Sequence, residues 1–283
     1  MRILAVGVAT LDIVNRVDAY PLEDQEIRAT SQQLRRGGNA CNTLTVLSRL
    51  GHHCSWAGTL ADDESSKFIK EELTASCVDT CWAHVESESA TPTSYIVSSQ
   101  ATGSRTIIHY RNLPEYGESQ FSKIDLSAFD WIHFEGRNPK ATLGMLKRIR
   151  AENSDIRISL ELEKPRGGLK QCLAYVDVVM VSRAYALAKG LDSAQKLFDY
   201  LHPFCASTLC FLAWGEEGGW YRTGDCAARF LPAFKPGHVI DTLGAGDVFN
   251  AGLIDGLQKW DDPMEALSYA IRIAGEKCGR DGL

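Results

Sequence analysis

Trp131–Glu135 (WIHFE), Arg157–Leu162 (RISLEL) and Val176–Val181 (VDVVMV) are three short, nearly continuous apolar runs. Such runs read as strands buried on both faces rather than half-exposed strands, which alternate apolar with polar. Between the first two, Ala141–Arg150 carries a helical pattern, and a short helix is predicted near Leu169–Leu173 before the third. Strands alternating with helices predict an α/β fold, with a doubly wound, mostly parallel sheet.

Working outward, Arg2–Val8 (RILAVGV) is another buried-strand run. After Gly37-Gly38-Asn39, Ala40, Leu44, Leu47 and Leu50 recur at helical spacing and Gly51 supplies the stop. His53–Gly58 reads as a strand, and Asp62 is a candidate cap for a helix presenting Phe68, Ile69 and Leu73. On the C-terminal side the spacing predicts a helix over 194–204, a strand over 209–214, a hairpin pairing 220–221 with 228–231, and helices over 245–258 and 264–278. The rhythm breaks twice. Thr93–Ser98 and Arg105–Tyr110 form a hairpin pattern, and Ile13–Leu34 holds extended candidates but no helix pattern. These excursions, about 13–34 and 91–110, predict a small β-sheet lid inserted into one domain spanning 1–283.

The 283 residues carry 30 Lys+Arg against 36 Asp+Glu, a formal charge of −6. That balance disfavours nucleic acid, whose phosphates demand a basic surface. No stretch approaches the roughly 18 apolar residues of a membrane span, and the start lacks a leader pattern, so a cytoplasmic protein without membrane partners is expected. The 9 cysteines are scattered without paired spacings and read as reduced. Cys77, Cys81 and His84 lack a second ligand pair, which argues against zinc.

The chemistry concentrates in Val239–Asn250, VIDTLGAGDVFN. Small residues in Gly244-Ala245-Gly246-Asp247 stand immediately before a helical run, so backbone N–H groups can converge there as an anion site. Asp247 reads either as a capping carboxylate of the first turn or as a base beside the bound anion. No GxxxxGK[ST], protein-kinase or GxGxxG pattern is present.

This segment resembles the DTxGAGD signature of the ribokinase-like (phosphofructokinase-B) sugar kinases at every fixed position. Gly37–Asn42 (GGNACN) resembles the same family's N-terminal motif. GSRT (103–106), EGRN (135–138) and EKPR (163–166) resemble its ketohexokinase-type branch, whose members phosphorylate fructose on the 1-hydroxyl. The resemblance implies a ribokinase-like fold, ATP and Mg2+ as requirements, and a ketohexose, D-fructose, as acceptor. Kinases for another ketose or small alcohol, and a non-catalytic sugar or nucleotide sensor, are the alternatives.

Carried over position by position, the resemblance puts Asp12, Gly38, Asn39 and Asn42 on the sugar with Asp247 as base, although Asn39 also reads as a helix cap. Gly244, Ala245 and Gly246 would hold phosphate. Arg105 would reach the nucleotide phosphates, and Ala213, Trp214, Gly215 and Glu216 would border the nucleotide. The family's Asn-x-x-Glu magnesium motif is absent, the strand end reading Ser182-Arg183-Ala184-Tyr185, which leaves Glu161 or Glu163 as carboxylates for a hydrated ion. Related sequences run past Gly282-Leu283, so the resemblance implies that a loop helping to hold K+ is missing or disordered. It also implies a homodimer clasped through the β-sheet lids, with Asp24 reaching the partner's sugar. The edges and one apolar face of those sheets, carrying Ile13, Val17, Ile27, Tyr95, Val97, Ile107 and Tyr110, point the same way.

Overall fold

The structure is a computed structural model describing residues 1–283. Its elements alternate as the patterning predicts. The first half runs β1 (Arg2–Val6), β2 (Thr10–Val17), β3 (Ser31–Gly37), α1 (Asn39–Arg49), β4 (His53–Ala57), β5 (Thr59–Ala61), α2 (Glu64–Ala75), β6 (Val78–Asp79), β7 (His84–Glu86), β8 (Thr93–Ser99), β9 (Arg105–Tyr110) and α3 (Glu118–Phe121). It continues with β10 (Trp131–Glu135), α4 (Pro139–Glu152), β11 (Arg157–Leu162), α5 (Leu169–Cys172), β12 (Val178–Ser182), α6 (Arg183–Ala188) and α7 (Ala194–Leu201). The chain finishes with β13 (Leu209–Ala213), β14 (Gly218–Thr223), β15 (Arg229–Pro232), α8 (Ala245–Trp260) and α9 (Pro263–Cys278).

Nine strands form the main sheet in the order β15-β14-β13-β12-β11-β10-β1-β4-β6. The pairs from β13 to β6 are parallel, and β14 and β15 close one edge antiparallel. Both faces are covered. Leu4, Ile132, Phe134, Ile158 and Leu160 pack on one side with α4 and α7 residues. Ile3, Ala5, Trp131, Met180 and Phe211 pack on the other with α1, α8 and α9. Strand order reverses between β1 and β10, and in open α/β sheets the crevice at such a reversal, outside the carboxyl ends, is where ligands bind.

A second sheet, β3-β2-β8-β9, is built from the two excursions. Its pairing fixes which residues share a face. Ile13 lies opposite Leu34 and Tyr95, and Tyr95 opposite Ile108, giving one apolar row across four strands. Leu34, Tyr95, Ile108 and Tyr110 are all exposed. Ile107, expected in this row, instead lines the cleft with Arg105 and His109, because alternate residues of a strand face opposite ways. Val17, also expected on that face, is buried.

Other boundaries differ locally. Asp63, not Asp62, caps α2 by accepting the Ser66 N–H at 2.8 Å, and Asp63 also holds Thr91. Two adjacent aspartates offer the same chemistry, and only the tertiary partner Thr91 chooses between them. The short pair β5–β7 escaped the sequence reading because three-residue strands carry too little periodicity to register.

Candidate active site

The crevice at the sheet reversal opens into a cleft of about 770 Å³ between the carboxyl ends of the main sheet and the small sheet. Of the residues singled out from sequence, Asp12, Gly38, Asn39, Asn42, Arg105, Glu161, Glu163, Gly244, Gly246 and Asp247 line it.

Two glycines set the floor. Gly38 has φ 105, and a Cβ there would run into the carbonyl oxygen of Val8, so only glycine lets α1 start this close to the end of β1. Gly38 is the N-cap and makes no side-chain cap, so Asn39 is not the cap. The Asn39 amide is free for other work and donates to Glu161 Oε2 at 3.1 Å. Gly244, with φ 78, turns the chain into α8. The N–H groups of Gly244, Gly246 and Asp247 make no backbone hydrogen bond, whereas that of Ala245 is turned toward Thr242 O at 3.3 Å. The free donors therefore differ from the expected set by one member, Asp247 standing in place of Ala245, and they carry the positive end of the α8 dipole.

Asp247 lies in the first turn of α8 yet is buried. Its Oδ2 accepts from Asn42 Nδ2 at 2.7 Å. Burial pushes its pKa up to about 7, against the Asn42 hydrogen bond; Glu135 and Glu163 add to the rise and Arg36 opposes it. A carboxylate poised near neutrality can accept a proton at working pH, which a solvated aspartate does poorly. Glu161 is pushed well above its ordinary range, by burial first and by the charge of Asp247 next. Its other oxygen accepts from Asn250 Nδ2 at 2.9 Å.

Asp12 is raised by burial against hydrogen bonds from Thr10 and Ser94. Thr10 Oγ1 donates to it at 2.9 Å. In the small sheet, Arg105 Nη1 reaches Thr242 Oγ1 at 3.4 Å and so faces the turn before α8. Ala213–Glu216 stand at the carboxyl end of β13 outside the cleft lining, with Trp214 buried and Arg183 5.6 Å from its ring centre. Asp24 lies exposed in the turn between β2 and β3, away from the cleft of its own chain.

Several residues in the cleft or buried behind it were not anticipated. Arg36 donates to Asn42 Oδ1 at 3.0 Å and to Thr45 at 2.9 Å, fixing the Asn42 amide so that its nitrogen faces Asp247. Glu135 accepts the Val8 N–H at 2.9 Å across the sheet reversal. Asn250 falls within the segment quoted from sequence, but its partner Glu161 is 89 positions away. None of these pairings has a local signal.

The pfkB family carbohydrate kinase model matches residues 2–283. The chain belongs to the pfkB family of carbohydrate kinases. Among curated relatives of this kinase, the ketohexokinase of Mus musculus is 41% identical over 291 residues, covering 99% of this chain and 97% of the mouse protein. The ribokinase of Bacillus subtilis is 26% identical, covering 96% and 91%. Among solved structures, a putative ribokinase from Agrobacterium tumefaciens superposes with a TM-score of 0.85 at 22% identity, covering 99% of this chain and 92% of that one. Arabidopsis thaliana ribokinase complexed with ribose and ATP gives 0.82 at 17%, covering 99% and 93%. The two likenesses establish the ribokinase-like fold, as expected from the sequence.

Proposed function

We propose that this kinase transfers the γ-phosphoryl group of ATP to the 1-hydroxyl of a ketohexose, D-fructose, giving fructose 1-phosphate and ADP. The observation that carries the reading is Asp247, a buried carboxylate with pKa near 7 placed directly beside free backbone donors at a helix start. Support for the acceptor comes from the 41% identity to mouse ketohexokinase. In the reaction the hydroxyl oxygen forms the new bond to phosphorus, the bond to the β–γ bridging oxygen breaks, and the hydroxyl proton passes to Asp247. The N–H groups of Gly244, Gly246 and Asp247 receive the charge on the transferring group. Asp12, Gly38, Asn39 and Asn42 hold the sugar hydroxyls, and Ala213–Glu216 border the nucleotide. An ATP-coupled panel of fructose, tagatose, sorbose, ribose and nucleosides, with the product identified by NMR, tests the assignment; fructose turned over no better than ribose would overturn it.

No group of three His, Cys, Asp or Glu side chains converges as a metal cage. Magnesium would enter on the nucleotide phosphates and retain much of its water. Each Glu161 oxygen already accepts one amide hydrogen bond, so Glu163, half-exposed in the cleft, is the freer of the two carboxylates to orient that water. Magnesium, when bound, neutralises phosphate charge. The residues at the chain end do not fit potassium: Asp241 Oδ2 already takes Lys277 Nζ at 3.1 Å and the Gly282 N–H at 3.2 Å. No step is assigned to it.

The small sheet acts as a lid, excluding water that would otherwise compete for the phosphoryl group. Arg105→Ala should raise the KM for ATP, lower kcat, or both, as read in initial-rate assays; unchanged constants would reduce Arg105 to a solvated strand charge. The apolar row Leu34–Ile13–Tyr95–Ile108, exposed at Leu34, Tyr95 and Ile108, supports a homodimer through the lids, with Asp24 donated toward the partner's sugar. Ile108→Asp should convert a dimer to monomers in sedimentation velocity, and an active wild-type monomer at all concentrations tested removes the clasp.

A further inference from the structure

Lys277, on α9, is fully buried, and no sequence pattern distinguished it. A buried ammonium is costly unless closely paired. Its Nζ donates to the main-chain oxygen of Asp241 at 2.7 Å and lies 3.1 Å from Asp241 Oδ2. Asp241 is the residue from which the phosphate turn is hung. Its Oδ1 accepts the Leu243 N–H at 2.8 Å, bending the chain into Gly244, while Oδ2 accepts the Gly282 N–H. Its own N–H and that of Ile240 both go to Cys278 O, next to Lys277. Burial raises the Asp241 pKa, but the Leu243 N–H and Lys277 outweigh it and hold the carboxyl below its ordinary value. Lys277 itself does not line the cleft.

We propose that Lys277 is a positioning residue for phosphoryl transfer, an internal ammonium that holds Asp241 and thereby sets the height of the Thr242–Gly246 turn against the cleft. The sugar-facing residues, Asp12 on β2 and Asn39 and Asn42 on α1, do not hang from this turn, so losing Lys277 should disturb one half of the site. Arg35 of β3 comes within 3.6 Å of the same Asp241 oxygen, so the small sheet leans on the same anchor. The inference rests on the reading of this turn as the phosphate holder.

The test uses the full chain. Lys277→Met keeps the length of the side chain and removes the charge. ADP affinity by calorimetry should weaken about tenfold or more and kcat should fall about 10- to 100-fold, while the KM for fructose stays within about twofold. Because the single change leaves the partly buried Asp241 carboxylate with only Arg35 at 3.6 Å, the double change Lys277→Met with Asp241→Asn, which removes that charge as well, is made alongside. It should recover the melting temperature lost in the single variant and still bind ADP about tenfold more weakly. Either variant matching wild-type ADP affinity and turnover within about threefold overturns the proposal. Equal losses of ADP and fructose affinity in both variants also overturn it, since they indicate general damage. If the wild type phosphorylates no sugar in the panel, the transfer reading fails on its own, and the ADP affinities still decide the role of Lys277.

Discussion

Asp247→Asn is expected to lower kcat about 10²- to 10⁴-fold while ATP and sugar affinities stay within a few-fold, since an amide keeps the shape and the Asn42 contact but accepts no proton. The wild-type pH profile should report the same group. With the Asp247 pKa raised to about 7, kcat/KM should fall about tenfold per pH unit on the acid side of neutrality. That limb belongs to the Asp247–Glu161 pair, because the two carboxyl groups interact. Retention of more than about a tenth of wild-type kcat in Asp247→Asn, or a flat profile from pH 5.5 to 7.5, would sink the base assignment.

The same substitution should change stability in the opposite sense. In the unfolded chain an aspartate titrates near 3.9, about three units below Asp247 in the fold. Between those values the native protein holds a proton that the unfolded chain has released, so native stability declines as pH rises through that window. Below it there is no penalty, and above it the full penalty is present. The Asp247→Asn variant carries no such penalty at any pH. Between pH 5 and 8.5 the stability of the variant relative to wild type should therefore rise by about 2–3 kcal/mol, one pKa unit being about 1.4 kcal/mol. Urea unfolding at the two pH values measures it, and a pH-independent difference would mean that the carboxyl ionises freely in the fold. The catalytic gain from a buried base and its stability cost are one property seen in two assays.

The layout of strands and helices was legible because parallel strands buried on both faces write unbroken apolar runs, as in WIHFE and VDVVMV. The glycine-rich turn before α8 was legible as a candidate anion site because small residues there let backbone approach closely, whereas the proposed sugar contacts of Asn39 and Asn42 came from the family resemblance. What stayed hidden depended on partners distant in the chain. Nothing near Arg36 says that it fixes Asn42 against Asp247, nor anything near Lys277 that it holds Asp241. The facing of β9 was misjudged for a related reason: Ile107 and Ile108 are adjacent isoleucines, and only pairing of Tyr95 with Ile108 shows which one turns outward.

β1 has a consequence for the timing of biogenesis. It is synthesised before either of its neighbours, yet it lies mid-sheet, with Ile3 paired to Cys54 on one side and Trp131 on the other. At about 5–20 residues per second, the strand that completes its second edge follows roughly 6–25 s later. During that interval RILAV must remain unpaired along one side, an apolar strand edge open to neighbouring chains. The nascent chain is exposed to aggregation in that interval, and holdase chaperones that bind short apolar segments would find a target in RILAV.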